Sequence, residues 1–454
     1  MPITGVPAKP AELTWDERLR RGAGRSKIAL NPEYQELKFT LHRKLLDKIN
    51  LEALASIDNH KLRNEVRSAL LSLLESEQTL LSSLERQQIA EEVLDEVFGL
   101  GPLEPLLADP TISDILVNTH KQVYIERKGQ LELTNVTFKD NGHLLRIIDK
   151  IGSQVGRRVD ESSPMVDARL SDGSRVNAII PPLAVDGPLM SIRRFGTEKL
   201  MPVDLVARQA MTQGMLELLE AAVKSRLNLI VAGGTGSGKT TMLNALSAFI
   251  SPKERVVTIE DAAELQLKQP HLARLETRPP NLEGEGAIRQ RELLINSLRM
   301  RPDRIVIGEC RGEEALDMLQ AMNTGHDGSM TTVHANTPRD VITRLEVMVT
   351  LANGNLHLNA IRQQIASAVD LVVQVARLSD GSRRVTSITE ITGMEVNVVT
   401  LQDLFVFEKR GQTPEGRVIG RFAGTGIRPK FYEKVRAAGI PLPADLFDTV
   451  LEVN

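Results

Sequence analysis

The run Gly233-Gly234-Thr235-Gly236-Ser237-Gly238-Lys239-Thr240-Thr241 carries the densest chemical signal in this sequence. Gly233, Gly238, Lys239 and Thr240 occupy the fixed places of the pattern G-x-x-x-x-G-K-S/T. Glycines let a backbone curl until successive N–H groups face phosphate oxygens, and a helix N-terminus behind them adds its positive dipole end. At these positions Lys239 neutralises β- and γ-phosphate charge, and the Thr240 hydroxyl can hold Mg²⁺. The flanks fit the pattern. Leu229-Ile230-Val231-Ala232 reads as a buried strand, and Met242, Leu243, Leu246 and Phe249 fall at helical spacing after the loop. A glycine-rich loop with a chance lysine would not need both flanks, so the segment is read as a site for ATP with Mg²⁺.

Two acidic positions close predicted strands. Arg255 to Ile259 ends in Glu260-Asp261, and Arg304 to Gly308 ends in Glu309. Ligands of open α/β sheets sit at the carboxyl ends of the strands, so these carboxylates are expected to face the phosphates. One such group could position and polarise a water, and one could help hold Mg²⁺. The plainer alternative for Glu260 or Asp261 is a solvated strand-end charge. Phosphate-loop proteins commonly carry an Asp where this strand ends in Gly308-Glu309, and Asp303 precedes the strand at the wrong end. His326 and His334 lie eight apart around a predicted strand, which matches no zinc spacing. A contact with the γ-phosphate is the functional reading, and a purely structural role the plain one. Arg157, Arg158, Arg169, Arg175, Arg193 and Arg194 crowd an earlier segment. They are either a solvated basic face or a source of arginine fingers across a subunit boundary. Cys310, the one cysteine, reads as a small buried residue and permits no internal disulfide, which fits a reducing compartment.

The elements that must position these groups follow from periodicity. Residues 1–32, rich in Pro and Gly, read as a mobile tail. Residues 33–100 read as a helical bundle, with Tyr34, Leu37, Leu41, Leu45 and Ile49 on one face, Leu62, Val66, Leu70, Leu73 and Leu74 on another, and a Ser82/Glu85 capping box opening a third helix that stops at Gly99. Residues 101–195 read as a mixed α+β domain, with strands at 112–117, 123–125 and 131–138, a helix at 143–155, and a hairpin from Met165 through Asp172-Gly173 to Ile180. Residues 196–210 read as a linker. Residues 211–400 alternate helix and strand, with strands near 227–232, 255–259, 304–307, 330–333 and 371–375, an α/β pattern of parallel sheet covered on both faces. Strands at 384–391 and 404–407 are expected to add an antiparallel extension, and residues 401–454 form a C-terminal extension. Hydrophobic residues are 41%, charged residues 25% and the net charge is -3, so no global basic field for nucleic acid exists. No apolar run reaches the roughly 20 residues of a membrane span, and Met1 to Pro10 lacks the apolar core of a signal peptide.

Taken together, the motifs resemble the secretion ATPase superfamily, which powers type II secretion, type IV pili and type IV secretion. The resemblance rests on the phosphate loop, on Thr258-Ile-Glu-Asp-Ala-Ala-Glu-Leu265, on Leu298-Arg-Met-Arg-Pro-Asp-Arg-Ile-Val-Ile-Gly-Glu-Cys-Arg311, and on Thr324-Gly-His through His334-Ala-Asn. They match the family's Walker A, Asp box, atypical Walker B and His box. Thr277-Arg-Pro-Pro-Asn281, Gly308-Glu-Cys-Arg311 and Ala321 to Ser329 look most like the CpaF/TadA branch of Flp/Tad pilus assembly ATPases. The resemblance covers residues 80–400 or so. It implies an N-terminal PAS-like lobe, a RecA-like P-loop NTPase lobe, and a homo-hexameric ring at the cytoplasmic face of the inner membrane, working through pilus platform proteins. It implies that Glu309 activates water, that Glu260 assists near Mg²⁺, and that His334 and His326 form the His box. Arg169, Arg175, Arg193 and Arg194 are placements for fingers, because the family's finger positions vary.

Four functions compete. The leading one is a mechanochemical ATPase that assembles, or also retracts, a Tad/Flp-type pilus. The second moves DNA or effectors in conjugation or type IV secretion. Aromatic content of 3% argues against direct nucleic-acid contact. A small-molecule kinase would need an acceptor lid, which the sequence does not offer. A non-hydrolysing scaffold would have no use for Glu309.

Overall fold

The structure, a computed structural model, describes residues 37–38, 40–41, 44–45, 59–76, 81–127, 129–194, 200–280, 284–443 and 445–453. The expected tail, Tyr34 and Ile49 of the first expected helix, and residues 195–199 of the expected linker lie outside them. The chain divides into two compact units, Met1–Thr197 and Glu198–Asn454.

In the first unit, α1 (Asn59–Ser76) packs on α2 (Ser83–Phe98). The capping box read from the sequence is present. Ser82 Oγ accepts from Glu85 N at 3.3 Å, and Glu85 Oε2 accepts from Ser82 N at 2.7 Å. Ile89, Ala90, Val93 and Leu94 of α2 share one stripe and bury it against Val66, Leu70 and Leu74 of α1 and against Leu41 and Leu45. Each Val, Leu or Ile among them contributes about 1.5–3 kcal/mol on burial. A short helix α3 (Glu104–Ala108) then leads into six antiparallel strands: β1 (Ile112–Thr119), β2 (Gln122–Arg127), β3 (Gln130–Leu133), β4 (Met165–Arg169), β5 (Arg175–Ile179) and β6 (Leu189–Arg193). Their order is β3-β2-β1-β6-β5-β4.

Helix α4 (Asn141–Gln154) covers this sheet with Leu144, Ile147, Ile148 and Ile151. The β4–β5 turn forms at Asp172-Gly173, where Asp172 Oδ1 accepts from Ser174 N and Gly173 has φ +90°. The expected strand to Phe138 ends early, at Leu133. Phe138 instead reaches the core from a loop, its N–H donating to His120 O. The helical layer is tied to the sheet layer by buried Glu96, whose carboxylate meets His143 Nε2 at 2.9 Å and Lys38 Nζ at 3.3 Å.

The second unit holds a ten-stranded sheet of order β16-β15-β14-β13-β12-β7-β11-β10-β8-β9. The strands β7 (Leu229–Gly233), β8 (Val256–Glu260), β9 (Leu272–Glu276), β10 (Arg304–Cys310), β11 (Met330–Val333) and β12 (Leu371–Arg377) run parallel. Their helices are α5 (Pro202–Ala207), α6 (Gln213–Lys224), α7 (Lys239–Ser247), α8 (Gln290–Ser297), α9 (Glu314–Asn323), α10 (Pro338–Ala352) and α11 (Leu358–Ala368). Strand β7 is buried on both faces, as its unbroken apolar run requires: Leu229 and Val231 enter one core, Ile230 and Ala232 the other.

Four antiparallel strands continue the sheet: β13 (Arg383–Glu395), β14 (Val398–Gln412), β15 (Val418–Gly424) and β16 (Val450–Val453). Helix α12 (Tyr432–Ala437) lies between the last two. Residues read as a C-terminal extension thus build the core itself. Phe405, Phe422, Phe447 and Val453 are buried with Leu229 and Val231. Within the stretch read as a linker, α5 sends Leu205 into the same core.

Candidate active site

The phosphate loop joins β7 to α7, and close packing explains its glycines. A Cβ at Gly233 would stand 2.3 Å from Val375 O on β12. Gly236 and Gly238 have φ +69° and +97°, the left-handed region that glycine adopts without strain. Gly238 is the N-cap of α7, so the first-turn N–H groups at Lys239, Thr240 and Thr241 have no carbonyl within the helix and face the loop. Lys239 Nζ donates to Gly234 O at 3.0 Å, and Ser237 Oγ donates to the same carbonyl at 2.8 Å. One residue at this loop was missed by sequence reasoning. Arg383, the first residue of β13, donates from Nε to Gly236 O at 2.8 Å. The Asp380-Gly381 turn before it, feeding a strand beside β12, was the available signal.

The register aligns the carboxyl ends of the central strands. Val333 at the end of β11 is level with Ala232 of β7 on one side and with Cys310 of β10 on the other. Strand spacing then puts the backbone after Ala232 about 10 Å from that of Glu309. Between β10 and β11, Gly308 and Glu309 together oppose Thr332, because Ile307 pairs with Thr331 and Cys310 with Val333. This is a β-bulge, a device that re-aims a side chain at a strand end. Thr332 Oγ1 closes it by donating to Gly308 O at 2.7 Å.

Glu260, at the end of neighbouring β8, is buried, and its Oε2 accepts from the Glu264 and Leu265 N–H groups, each at 2.7 Å. Its Oε1 is buried with no hydrogen-bond partner. Burial pushes the carboxyl up to about 6 against the pull of the two N–H donors. A hard oxygen left unsatisfied fits Mg²⁺, as does the Thr240 hydroxyl. These two side chains would hold the ion, which would supply charge neutralisation at the phosphates.

Glu309 Oε2 accepts from Arg311 Nη2, and Arg311 Nη1 lies 3.6 Å from Asp261 Oδ2. Cys310 is buried in the core beneath, where burial holds its thiol well above the ordinary value.

His334 directly follows β11 and so stands at this same edge. Ala335 O beside it accepts from buried Gln374 Nε2 at 3.0 Å. His326 does not join it, contrary to the sequence expectation. It precedes β11, its Nδ1 bonds Pro302 O at 3.2 Å, and the next residues bond Asn228 at the start of β7. Four residues of parallel strand separate the two histidines, roughly 13 Å of rise, which leaves His326 at the amino edge of the sheet.

The arginines also divide. Arg169 pairs with Arg175 and Arg175 with Arg193 across β4, β5 and β6, so these three share one sheet face in a row. Arg194, next along the chain, is instead mostly buried and donates from Nη1 to Leu106 O within α3 and to Asp109 O just after it. These bonds fasten α3 to the end of β6 and set Arg194 apart from the row of the other three.

Comparison with known proteins places the chain in a family. The family model described as "Type II/IV secretion system protein" matches residues 96–414. A Mycobacterium tuberculosis protein named for conjugal transfer is 40% identical over 311 residues, covering 67% of this chain and 87% of that protein. The conjugal transfer protein TrbB of Rhizobium radiobacter is 33% identical over 295 residues, 64% of this chain and 87% of that one. A solved structure, the VirB11 ATPase of the Brucella suis type IV secretion system, is 29% identical over 66% of this chain and 95% of its own, with a TM-score of 0.35. The chain belongs to the type II/IV secretion system protein family, the family of the secretion ATPases.

Proposed function

We propose that this protein is a motor that hydrolyses MgATP and works as a homo-hexameric ring at the cytoplasmic face of the inner membrane. The observation that carries the reading is the alignment of three groups on one sheet edge: the phosphate loop after β7, Glu260 at the end of β8 and Glu309 in the bulge of β10. Lys239 and the α7 N-terminus bind the phosphates, Glu260 and Thr240 hold the metal, and Glu309 takes a proton from the attacking water. His334 stands where a γ-phosphate contact is possible. The row Arg169, Arg175 and Arg193 is the source of fingers across a subunit boundary, since cross-strand pairing gathers three guanidinium groups on one sheet face and each can bind phosphate oxygens bidentately.

The filament moved is a Tad/Flp-type pilus, assembled through inner-membrane platform proteins. The motifs at Thr277 to Asn281 and Ala321 to Ser329 support this branch. A second reading, transfer of DNA or effectors, is favoured by the relatives named for conjugal transfer. No helix among the described residues is long and apolar enough to cross a membrane. In either reading we take membrane attachment to run through platform proteins.

Glu309→Gln tests the chemistry. The amide is nearly isosteric and cannot accept the proton, so turnover should fall about 10²-fold or more with nucleotide affinity kept. Turnover within a few-fold of the parent would remove Glu309 from this role. Deletion of the gene in its own cell, scored for surface pili and for conjugation frequency, separates the two biological readings.

A further inference from the structure

We propose that Arg311 is the positioning residue for Glu309, holding one carboxylate oxygen so that the other is presented to water. This rests on the reading of Glu309 given above. Glu309 Oε2 accepts from Arg311 Nη2, and no hydrogen bond to Oε1 occurs among the described residues. A carboxylate bonded at one oxygen keeps its plane fixed while the second oxygen stays open, as proton acceptance requires.

Arg311 is itself held. Its N–H and that of Gly312 both donate to Glu314 Oε1, at 2.6 and 2.8 Å, and Glu314 is buried at the first turn of α9. Its Nη1 faces Asp261 Oδ2 at 3.6 Å, beyond the end of β8. Asp261 in turn lies 3.5 Å from Thr277 Oγ1, after β9. One planar guanidinium thus spans the carboxyl ends of two strands, and its fork makes the orientation specific in a way a lysine ammonium cannot. The opposing view takes Arg311, 61% exposed at the side chain, as an ordinary surface ion pair. Such pairs contribute little to anything measurable. The backbone clamp at Glu314 and the second carboxylate speak for a fixed device.

The test uses the full-length protein and compares Arg311→Ala, Arg311→Lys, Glu309→Gln and the double variant Arg311→Ala/Glu309→Gln. The measurements are kcat, KM for MgATP, ADP affinity by calorimetry, and thermal unfolding to confirm folding. Arg311→Ala should lower kcat about 10- to 100-fold, the scale of a misoriented reacting group. KM and ADP affinity should stay within about threefold, because the phosphate loop is untouched. Arg311→Lys should recover part of the loss. In the Glu309→Gln background, Arg311→Ala should add less than about threefold, since it acts only through Glu309. A kcat for Arg311→Ala within twofold of the parent overturns the proposal, as does the same fractional loss in both backgrounds. If Glu309→Gln is inactive while Arg311→Ala is fully active, only the Arg311 proposal falls. If Glu309→Gln itself turns over normally, the reading of Glu309 fails and takes this proposal with it.

Discussion

The side chain of Glu260 lies against Gly308: a Cβ built on Gly308 would stand 2.9 Å from Glu260 Cγ. Gly308 before Glu309, where an Asp is common in phosphate-loop proteins, therefore has a steric reason. Gly308 leaves room for the carboxylate of the next strand and begins the bulge that aims Glu309. Gly308→Ala should push Glu260 aside and cost about 1–3 kcal/mol of stability, the usual range for overpacking. Turnover should fall more than tenfold, because the metal-side and water-side carboxylates move together. Thermal melts and steady-state ATPase assays on the variant check both; an Ala variant with parental turnover would show that the contact is relieved harmlessly.

Glu260 should also leave a pH signature. Its carboxyl sits near 6 in the fold, above its ordinary value of 4.5, so the folded state holds the proton more tightly than the unfolded chain. The stability this provides is full below about pH 4.5 and is lost as pH rises through about 6, amounting to on the order of 1–2 kcal/mol. Melts in chelator from pH 4.5 to 7 should show the parent losing ground against Glu260→Gln across that window. Parallel curves would mean that the carboxyl titrates near its ordinary value.

Lys239→Ala should abolish tight nucleotide binding, since the β/γ-phosphate charge loses its partner. Arg383→Ala should act on the same loop more weakly. It removes the Nε bond to Gly236 O but leaves the loop's own backbone donors, so ADP affinity should fall several-fold, about 1 kcal/mol for one lost hydrogen bond. Calorimetry on the two variants ranks them, and an unchanged affinity for Lys239→Ala would sink the phosphate-loop assignment.

The arginines of the first unit offer a contrast between neighbours in the chain. Arg169→Ala, Arg175→Ala and Arg193→Ala should slow hydrolysis far more than they weaken ADP binding, because ADP lacks the group a finger contacts. Arg194→Ala should mainly lower the melting temperature, because two backbone carbonyls, Leu106 O and Asp109 O, lose their donor. If the first three hydrolyse ATP like the parent, their row is a solvated basic face.

What the sequence determined by itself was everything whose chemistry is local. The phosphate loop needs consecutive glycines, a lysine and a helix start, all within nine residues, and its strand announces itself by an unbroken apolar run. The Ser82/Glu85 cap and the Asp172-Gly173 turn were legible for the same reason, since each is a contact between residues two or three apart. Strand-end carboxylates could be picked out once the strands were placed, because parallel strands all point one way.

What only the tertiary structure decided depends on register and on distant packing. His326 and His334 look alike in the sequence, yet one lies at the amino edge of the sheet and the other at the carboxyl edge. Arg193 and Arg194 are adjacent, and the twofold alternation of a strand sends one to the arginine row and the other to the α3 carbonyls. The bulge at Gly308-Glu309 exists only through pairing with β11, and the Arg383 contact joins residues 147 apart. Residues 401–454 read only as a C-terminal extension with one strand at 404–407, because beyond it their apolar positions are sparse and broken by Gly and Pro. They belong to the core because β14 offers Phe405 a buried face that no local pattern specifies.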